Sequence, residues 1–143
     1  MKNKGYTVAD LSKITCIEDL RQVAECRVPR MFYDYADSGS WTEGTYRANE
    51  SDFHAIKFRQ RVAVNMEGRS TATTMVGQQA SMPVCIAPVG LTGMQHADGE
   101  IHAARAAEKF GIPFTLSTMS ICSIEDIAEH TTRSEERRVG KEC

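Results

Sequence analysis

Residues 81–94 read SMPVCIAPVGLTGM, and they contain the clearest β-strand signal in the chain. Within them, residues 83–87 form a short, continuously apolar run, which is typical of a parallel strand covered on both faces. Pro88, Val89 and Gly90 follow as a turn at the carboxyl end of that strand. The stretch therefore predicts the start of a βα unit near residue 82.

The next segment predicts the helix of that unit. Asp98 stands where an N-cap is expected, and apolar residues recur at helical spacing from Gly99 to Phe110. Gly111 supplies a C-cap, and Pro113 prevents the helix from continuing. The pattern therefore predicts a helix over residues 99–110.

A second strand and a further helix follow at once. Residues 114–116 read as a second short strand, and Ser123 with Asp126 three residues later is a capping signal. Strand, helix, strand and helix thus alternate within about fifty residues, as is typical of a right-handed βαβ unit. The fold class predicted from the residues is α/β.

The chain before residue 82 predicts helices and then a hairpin. A capping box of Thr15 and Glu18 starts the first helix, Pro29 occupies the first position of the second, and a third covers about residues 42–54.

Residues 71–76 are β-prone, and Gly77 with Gln78 and Gln79 indicates a turn. The predicted organisation is a helical section over about residues 1–55, a hairpin region over about 56–80, and two βα units over about 82–132.

Composition excludes several classes of protein. The chain has 143 residues, 41% of them hydrophobic and 25% charged, which suits one globular domain. Lys plus Arg is 17 and Asp plus Glu is 19, so the net charge of −2 excludes a strongly basic nucleic-acid binder. We therefore expect no nucleic-acid partner, and no apolar run has the length of a membrane span.

The cysteines and histidines show no metal-ligand spacing. Five cysteines occur without a CxxC pair, and four histidines occur without an HExxH pattern. Buried free thiols in a reducing cytoplasm are the simplest interpretation. We expect no metal site and a cytoplasmic location.

Residues 133–143, RSEERRVGKEC, differ sharply in composition from the rest of the chain. Seven of these eleven residues are charged and Val139 is the only aliphatic one. A solvated charged tail is the simple interpretation. The string also looks like the translation of a sequencing-adapter oligonucleotide. We therefore expect residues 1–132 to be the native part and 133–143 to be a non-native, adapter-derived tail.

Three stretches, in order and spacing, resemble one family. They are PRMFYDYADSG (29–39), SMPVCIAPVGLTGM (81–94) and GIPFTLST (111–118), with RQR (59–61) between the first two. They resemble the FMN-dependent 2-hydroxy-acid dehydrogenases and oxidases, above all the bacterial flavin-type L-lactate dehydrogenases. The similarity covers roughly residues 8–132. It implies the N-terminal part of a (β/α)8 TIM barrel, incomplete here and preceded by a helical section.

The resemblance implies specific site residues. Tyr35 matches the tyrosine whose hydroxyl binds the substrate carboxylate. The backbone of Pro88, Val89 and Gly90 matches the segment beside the flavin ring, and Ser117 matches a serine that hydrogen-bonds FMN. Residues 88–90 and Ser117 lie where TIM barrels carry their active sites, at the carboxyl ends of strands.

Each of these residues also has a purely structural interpretation. Tyr35 would then belong to an aromatic stripe with Phe32 and Tyr33, and the segment after the first strand would be an ordinary turn. The Ser117 hydroxyl would then be satisfied by local backbone.

The family's reaction passes the hydrogen on the substrate Cα, with its electrons, to the flavin. Its histidine base, carboxylate-binding arginines and flavin-stabilising lysine lie in later strands, so this chain lacks the catalytic histidine. His96 is interpreted as a loop or rim histidine. The resemblance implies conversion of L-lactate to pyruvate by the full-length parent, with FMN as cofactor, and we expect the fragment itself to be inactive.

Other possibilities stay open. The chain could be a small non-catalytic module that binds a protein partner, or part of a flavin barrel for glycolate or mandelate. The electron acceptor could be quinone, cytochrome or oxygen. The resemblance implies a homo-oligomeric parent, either cytoplasmic or peripheral on the inner membrane.

Overall fold

The computed structural model describes residues 11–132 and 137–139. The chain divides into two compact units, with the boundary between Val62 and Ala63.

The first unit is helical throughout its described secondary structure. It contains a 3-10 turn (Leu11–Lys13), α1 (Ile17–Arg27), α2 (Arg30–Ala36), α3 (Gly44–Ser51) and a second 3-10 turn (Asp52–Ala55). The three helices predicted for this section are therefore confirmed, and the third ends in 3-10 geometry.

Helix α1 begins one residue later than predicted. The Asp19 carboxylate accepts hydrogen bonds from the Thr15 amide at 2.8 Å, the Thr15 hydroxyl at 2.9 Å and the Cys16 amide at 3.2 Å. These bonds lower the pKa of Asp19. Glu18, the predicted partner of Thr15, instead pairs with Arg21 at 3.0 Å. The prediction chose the wrong acid because a start at Ile17 makes Asp19 the third helical residue.

Pro29 precedes α2 rather than occupying its first position. Its carbonyl accepts the first helical hydrogen bonds, from Phe32 at 2.9 Å and from Tyr33 at 3.1 Å. Arg21 of α1 reaches the Asp37 carboxylate at 2.7 Å, and the Tyr33 hydroxyl donates to the same carboxylate at 3.1 Å. Burial and this hydrogen bond raise the pKa of Tyr33. The contacts fix α2 against α1.

The second unit combines short strands with helices. Its elements are β1 (Thr73–Met75), β2 (Gln78–Ala80), α4 (Thr92–Gln95), α5 (Gly99–Phe110), β3 (Thr115–Ser117), α6 (Ile124–His130) and β4 (Arg137–Val139).

The predicted hairpin is present, with a shorter turn than expected. β1 and β2 pair antiparallel, with Met75 opposite Gln78. The turn is Val76-Gly77, and φ is positive at both residues, as in the type I′ turns common in two-residue hairpins. Gln78 and Gln79 were predicted to lie in the turn but lie in β2, because the two-residue turn leaves no room for them.

The strand predicted over residues 83–87 is reduced to a single parallel bridge. Ile86 pairs with Phe114, and its backbone bonds Pro113 at 3.0 Å and Thr115 at 3.1 Å. Val84 is 50% exposed and Cys85 is also exposed, so cover on both faces was a wrong expectation for this chain. Among the described residues, this segment has a strand neighbour on one side only, and a lone pairing holds few residues extended.

Helix α5 has the predicted bounds and the predicted N-cap residue, but that residue makes no capping bond with its side chain. Gly111 ends it with φ 72°, as predicted. Asp98 has φ 55° and its side chain makes no capping bond, so the predicted capping role is wrong. The core of this unit lies between α5, β3 and α6, and its buried members are Ile101, Ala104, Leu116, Cys122 and Ile127.

Helix α6 starts at the predicted capping box. Ser123 Oγ accepts from the Asp126 amide at 3.0 Å, and the Asp126 carboxylate accepts from the Ser123 amide at 2.7 Å. The bond from the Ser123 amide, and after it one from the Ser123 hydroxyl at 2.8 Å, lower the pKa of the Asp126 carboxyl.

Ser123→Ala is expected to lower the free energy of unfolding by about 1 kcal/mol, the usual cost of a lost N-cap. Urea denaturation of the complete protein measures this cost. Thr118→Ala is the matched control, because Thr118 is exposed and makes no hydrogen bond among the described residues. Equal losses in the two variants would contradict the capping role.

The C-terminal segment contributes one strand. Its residues 133–136 and 140–143 lie outside the described residues. β4 pairs parallel with β3, with Leu116 opposite Arg138. Within the described residues, the segment therefore takes part in the backbone pairing of the second unit. Its non-native origin stays a prediction.

Candidate functional site

Two loops lie side by side where parallel strands end in the second unit. One follows the strand position at Ile86 and the other follows β3. The Leu91 amide donates to the Met119 carbonyl at 2.9 Å and ties them together. Gly90 lies so close that an added Cβ would stand 3.2 Å from Met119 Cβ and 3.7 Å from Ser117 Oγ. Residues 88–90 and Ser117 are called the strand-end platform below.

The platform carries hydrogen-bond donors without acceptors. Ser117 Oγ accepts from the Met119 amide at 3.1 Å, and within the described residues its own hydroxyl hydrogen has no acceptor. The amides of Val89 and Gly90 likewise make no hydrogen bond to any described residue, whereas the Val89 carbonyl accepts from Thr92 Oγ1 at 3.1 Å. Two N–H groups and one O–H group are therefore available to a ligand.

A buried carboxylate lies beneath these loops. Glu100, in the first turn of α5, is only 2% exposed. Its Oε1 accepts from the Gly93 amide and from the Ile121 amide, each at 3.1 Å. Its Oε2 accepts from Cys122 Sγ at 3.4 Å. Burial raises the pKa of Glu100, but the bonds from Ile121, its own amide and Gly93 outweigh burial, so the pKa is lowered.

Sequence reasoning missed Glu100, although a signal was present. It precedes Ala104 by four residues and Ala107 by seven, so it lies on the buried face of α5. A carboxylate on an otherwise apolar helix face requires dedicated hydrogen-bond donors. A check of helix faces would have singled out this residue.

The described cysteines are free, and only one is buried. Cys122 donates to Glu100, and burial together with that bond raises the pKa of its thiol. Cys16, Cys26 and Cys85 are exposed, so the expectation of buried thiols is wrong for these three. The residues that the structure describes contain no cluster of three His, Cys, Asp or Glu suited to a metal ion.

A small apolar cavity lies between α5 and the strand positions. It measures about 100 Å³, and its lining includes Ile86, Phe114, Leu116 and Ala103. Ligand sites commonly measure ~300–1,000 Å³, so this cavity is too small to hold a cofactor ring. The open surface of the platform is the better candidate.

Tyr35 belongs to the first unit and is 70% exposed. Its phenol makes no hydrogen bond to any described residue, whereas the half-buried Tyr33 bonds Asp37. Tyr35 thus differs from the packed aromatics Phe32 and Tyr33 of the same helix. The exposed phenol is available to a ligand.

His96 lies exposed at the end of α4. One ring nitrogen is 2.7 Å from the Ala97 carbonyl, and the ring meets that of His102 edge to face at 5.4 Å between centroids.

Comparison with known proteins points to one family. The sequence profile of the FMN-dependent dehydrogenases matches residues 24–139, which include Tyr35 and the whole strand-end platform and extend into the C-terminal segment. An L-lactate dehydrogenase of Xanthomonas campestris pv. campestris (strain B100) is 50% identical over 115 residues. That alignment covers 80% of this chain and 30% of the relative.

Solved structures give the same result. A soluble mutant of the membrane-associated (S)-mandelate dehydrogenase from Pseudomonas putida is 41% identical, with a TM-score of 0.74. The match covers 79% of this chain and 32% of that one. The monotopic membrane protein (S)-mandelate dehydrogenase is 38% identical, with a TM-score of 0.77 over 82% of this chain and 31% of that one. This chain thus spans about a third of the relatives it matches.

Proposed function

This chain belongs to the FMN-dependent dehydrogenase family, and from that premise we propose that it is the N-terminal part of an FMN-dependent enzyme that oxidises an L-2-hydroxy acid. The observation that carries the proposal is the strand-end platform, with three donors that no described residue satisfies, at the carboxyl ends of parallel strands. Active sites of TIM barrels lie at that end.

The residues of the platform fit a flavin. The edge of an isoalloxazine ring presents carbonyl oxygens and ring nitrogens that accept hydrogen bonds. The amides of Val89 and Gly90 and the hydroxyl of Ser117 are donors of the matching kind. Gly90 has no side chain, which permits the close approach of a flat ring.

Each residue then has a separate task. Bound FMN would accept the hydrogen and electron pair that leave the substrate Cα. Ser117, whose oxygen is held by the Met119 amide, would donate its hydroxyl hydrogen to the flavin edge. Tyr35 would donate to the substrate carboxylate, and a neutral phenol does this without adding a charge. The base and the carboxylate-binding arginines would come from later parts of the complete protein.

L-lactate is the proposed substrate, with pyruvate as product. The names of the curated relatives support it. A second candidate is (S)-mandelate, which the names of the solved relatives support. Glycolate is the third 2-hydroxy acid to be compared.

The complete protein is proposed to be homo-oligomeric and to work at or near a membrane surface. Among the described residues, no helix is both long and apolar enough to cross a bilayer. Names of solved relatives describe a membrane-associated and a monotopic protein. These names support peripheral membrane attachment. We propose the inner membrane as the location and quinone as the acceptor to test first, before cytochrome and oxygen.

The test uses the complete protein, obtained by extending the reading frame past Thr132. Bound FMN is expected, and anaerobic addition of L-lactate should bleach its absorption with kcat/KM at least about tenfold above (S)-mandelate and glycolate. Tenfold corresponds to ~1.4 kcal/mol of discrimination, within the reach of one pocket contact. A protein without FMN, or one that prefers mandelate, would contradict the proposal. A natural stop after Cys143 would favour the interaction module.

A further inference from the structure

We propose that Glu100 is a positioning residue for the flavin site, holding the two loops of the strand-end platform in one fixed arrangement. This inference rests on the proposed function, because it assigns Glu100 to the loops that would contact FMN.

A single oxygen atom joins the two loops. Glu100 Oε1 accepts from Gly93, on the first loop's short helix α4, and from Ile121, beyond β3. Both distances are 3.1 Å, and the amides come from segments 28 residues apart in sequence. Together with the bond from the Leu91 amide to the Met119 carbonyl, this ties the two loops to each other at two places.

The close approach of the loops depends on Gly93. A Cβ on Gly93 would lie 2.8 Å from Ile121 Cβ and 3.2 Å from Glu100 Oε2. Cβ atoms in proteins essentially never come as close as 2.8 Å, so a side chain at position 93 would force the neighbouring backbone to shift. Glycine at this position thus lets both amides reach the same carboxylate oxygen.

Burial of the Glu100 carboxylate favours one arrangement of the two loops. Glu100 is 2% exposed, and no Lys, Arg or His among the described residues forms an ion pair with it. Its charge is stabilised by amide N–H groups, by the Cys122 thiol and by the N-terminal end of α5. A carboxylate satisfied by loop amides loses these bonds when the loops move, so burial of the charge favours one loop geometry.

Three variants of the complete protein test the role. Glu100→Leu removes both acceptor oxygens, whereas Glu100→Gln keeps Oε1, the atom that holds both amides. Ile127→Ala is the matched control, because Ile127 is fully buried in the core and bonds neither loop through its side chain. FMN affinity is measured by quenching of flavin fluorescence, flavin geometry by visible circular dichroism, and stability by urea denaturation of the apoprotein.

The expected results separate an effect on the position of the flavin-contacting loops from an effect on the stability of the protein. Glu100→Leu should weaken FMN binding at least about tenfold and change the visible dichroism, because it leaves the Gly93 and Ile121 amides without their acceptor oxygen. Glu100→Gln should bind within about threefold of wild type with an unchanged spectrum. Ile127→Ala should lose stability but keep wild-type affinity.

Several outcomes would overturn the role. Wild-type affinity and spectrum in Glu100→Leu would do so, as would a Glu100→Gln variant as weak as Glu100→Leu. An equal loss of affinity in Ile127→Ala would assign the effect to stability alone. If Glu100→Leu does not fold, Glu100→Asp replaces it, because its shorter carboxylate keeps the charge but cannot reach both amides, and wild-type binding there overturns the role. A wild-type protein that binds no FMN would instead refute the proposed function.

Discussion

The 143-residue chain is expected to give no measurable reduction of FMN by L-lactate, under conditions in which the complete protein bleaches its flavin at once. The chain spans 30% of the curated relative it matches, and the family's base and carboxylate-binding arginines are expected beyond that part. A complete barrel has eight strands in roughly 250 residues, and its phosphate site is built after the last two strands. Three donors at one flavin edge cannot replace these groups.

Packing leads to the same expectation. Phe58 is 99% exposed, Trp41 97% and Val62 93%, so large apolar side chains lie uncovered in this chain. Ordering the backbone costs roughly 1–2 kcal/mol per residue, and burial has to offset that cost. The segment at Ile86 also presents backbone groups on a side where no described strand pairs with it. Such edges favour association between copies over a stable monomer.

The measurement is anaerobic flavin bleaching with L-lactate, run in parallel on the complete protein, on residues 1–143 and on residues 1–132. The last of these controls for the C-terminal segment, whose strand β4 pairs with β3. Turnover by either short chain above that of free FMN would contradict the expectation. It would also show that the missing barrel is not needed for proton abstraction.

Local signals were sufficient for much of the fold. Ser123 and Asp126 cap α6 as predicted, and Gly111 ends α5, because a cap depends on a few neighbouring residues. The bounds of α5 followed from helical spacing alone. The first helix shows the limit of this approach, since a shift of one residue exchanged Glu18 for Asp19 as the capping acid.

Features that depend on distant partners were not predictable in the same way. Residues 83–87 have strand composition, but in this chain only Ile86 pairs, because strand length depends on neighbours. The role of Glu100 depends on Gly93 and Ile121, which only the folded chain brings to one oxygen. The platform residues were predicted from the family resemblance. Only the structure shows that their N–H and O–H groups have no acceptor among the described residues.

Tyr35→Phe in the complete protein is expected to raise KM for L-lactate and lower kcat/KM by about 10- to 100-fold. The phenol is exposed and unbonded among the described residues, so its removal costs the fold little. A hydrogen bond to a charged group is worth about 1.5–3 kcal/mol, which corresponds to that range. Stopped-flow measurement of flavin reduction against L-lactate concentration separates binding from the chemical step. FMN affinity should stay unchanged.

Tyr33→Phe is the matched control, since it removes the same atom from the same helix. The Tyr33 hydroxyl bonds Asp37 at 3.1 Å, so its loss should cost about 1 kcal/mol of stability and leave KM unchanged. The two variants are therefore expected to differ: Tyr35→Phe weakens substrate binding, whereas Tyr33→Phe lowers the free energy of unfolding. An unchanged KM in Tyr35→Phe, or an equal rise in Tyr33→Phe, would show that Tyr35 does not bind the carboxylate, and the packed aromatic stripe would then be the better interpretation of this helix.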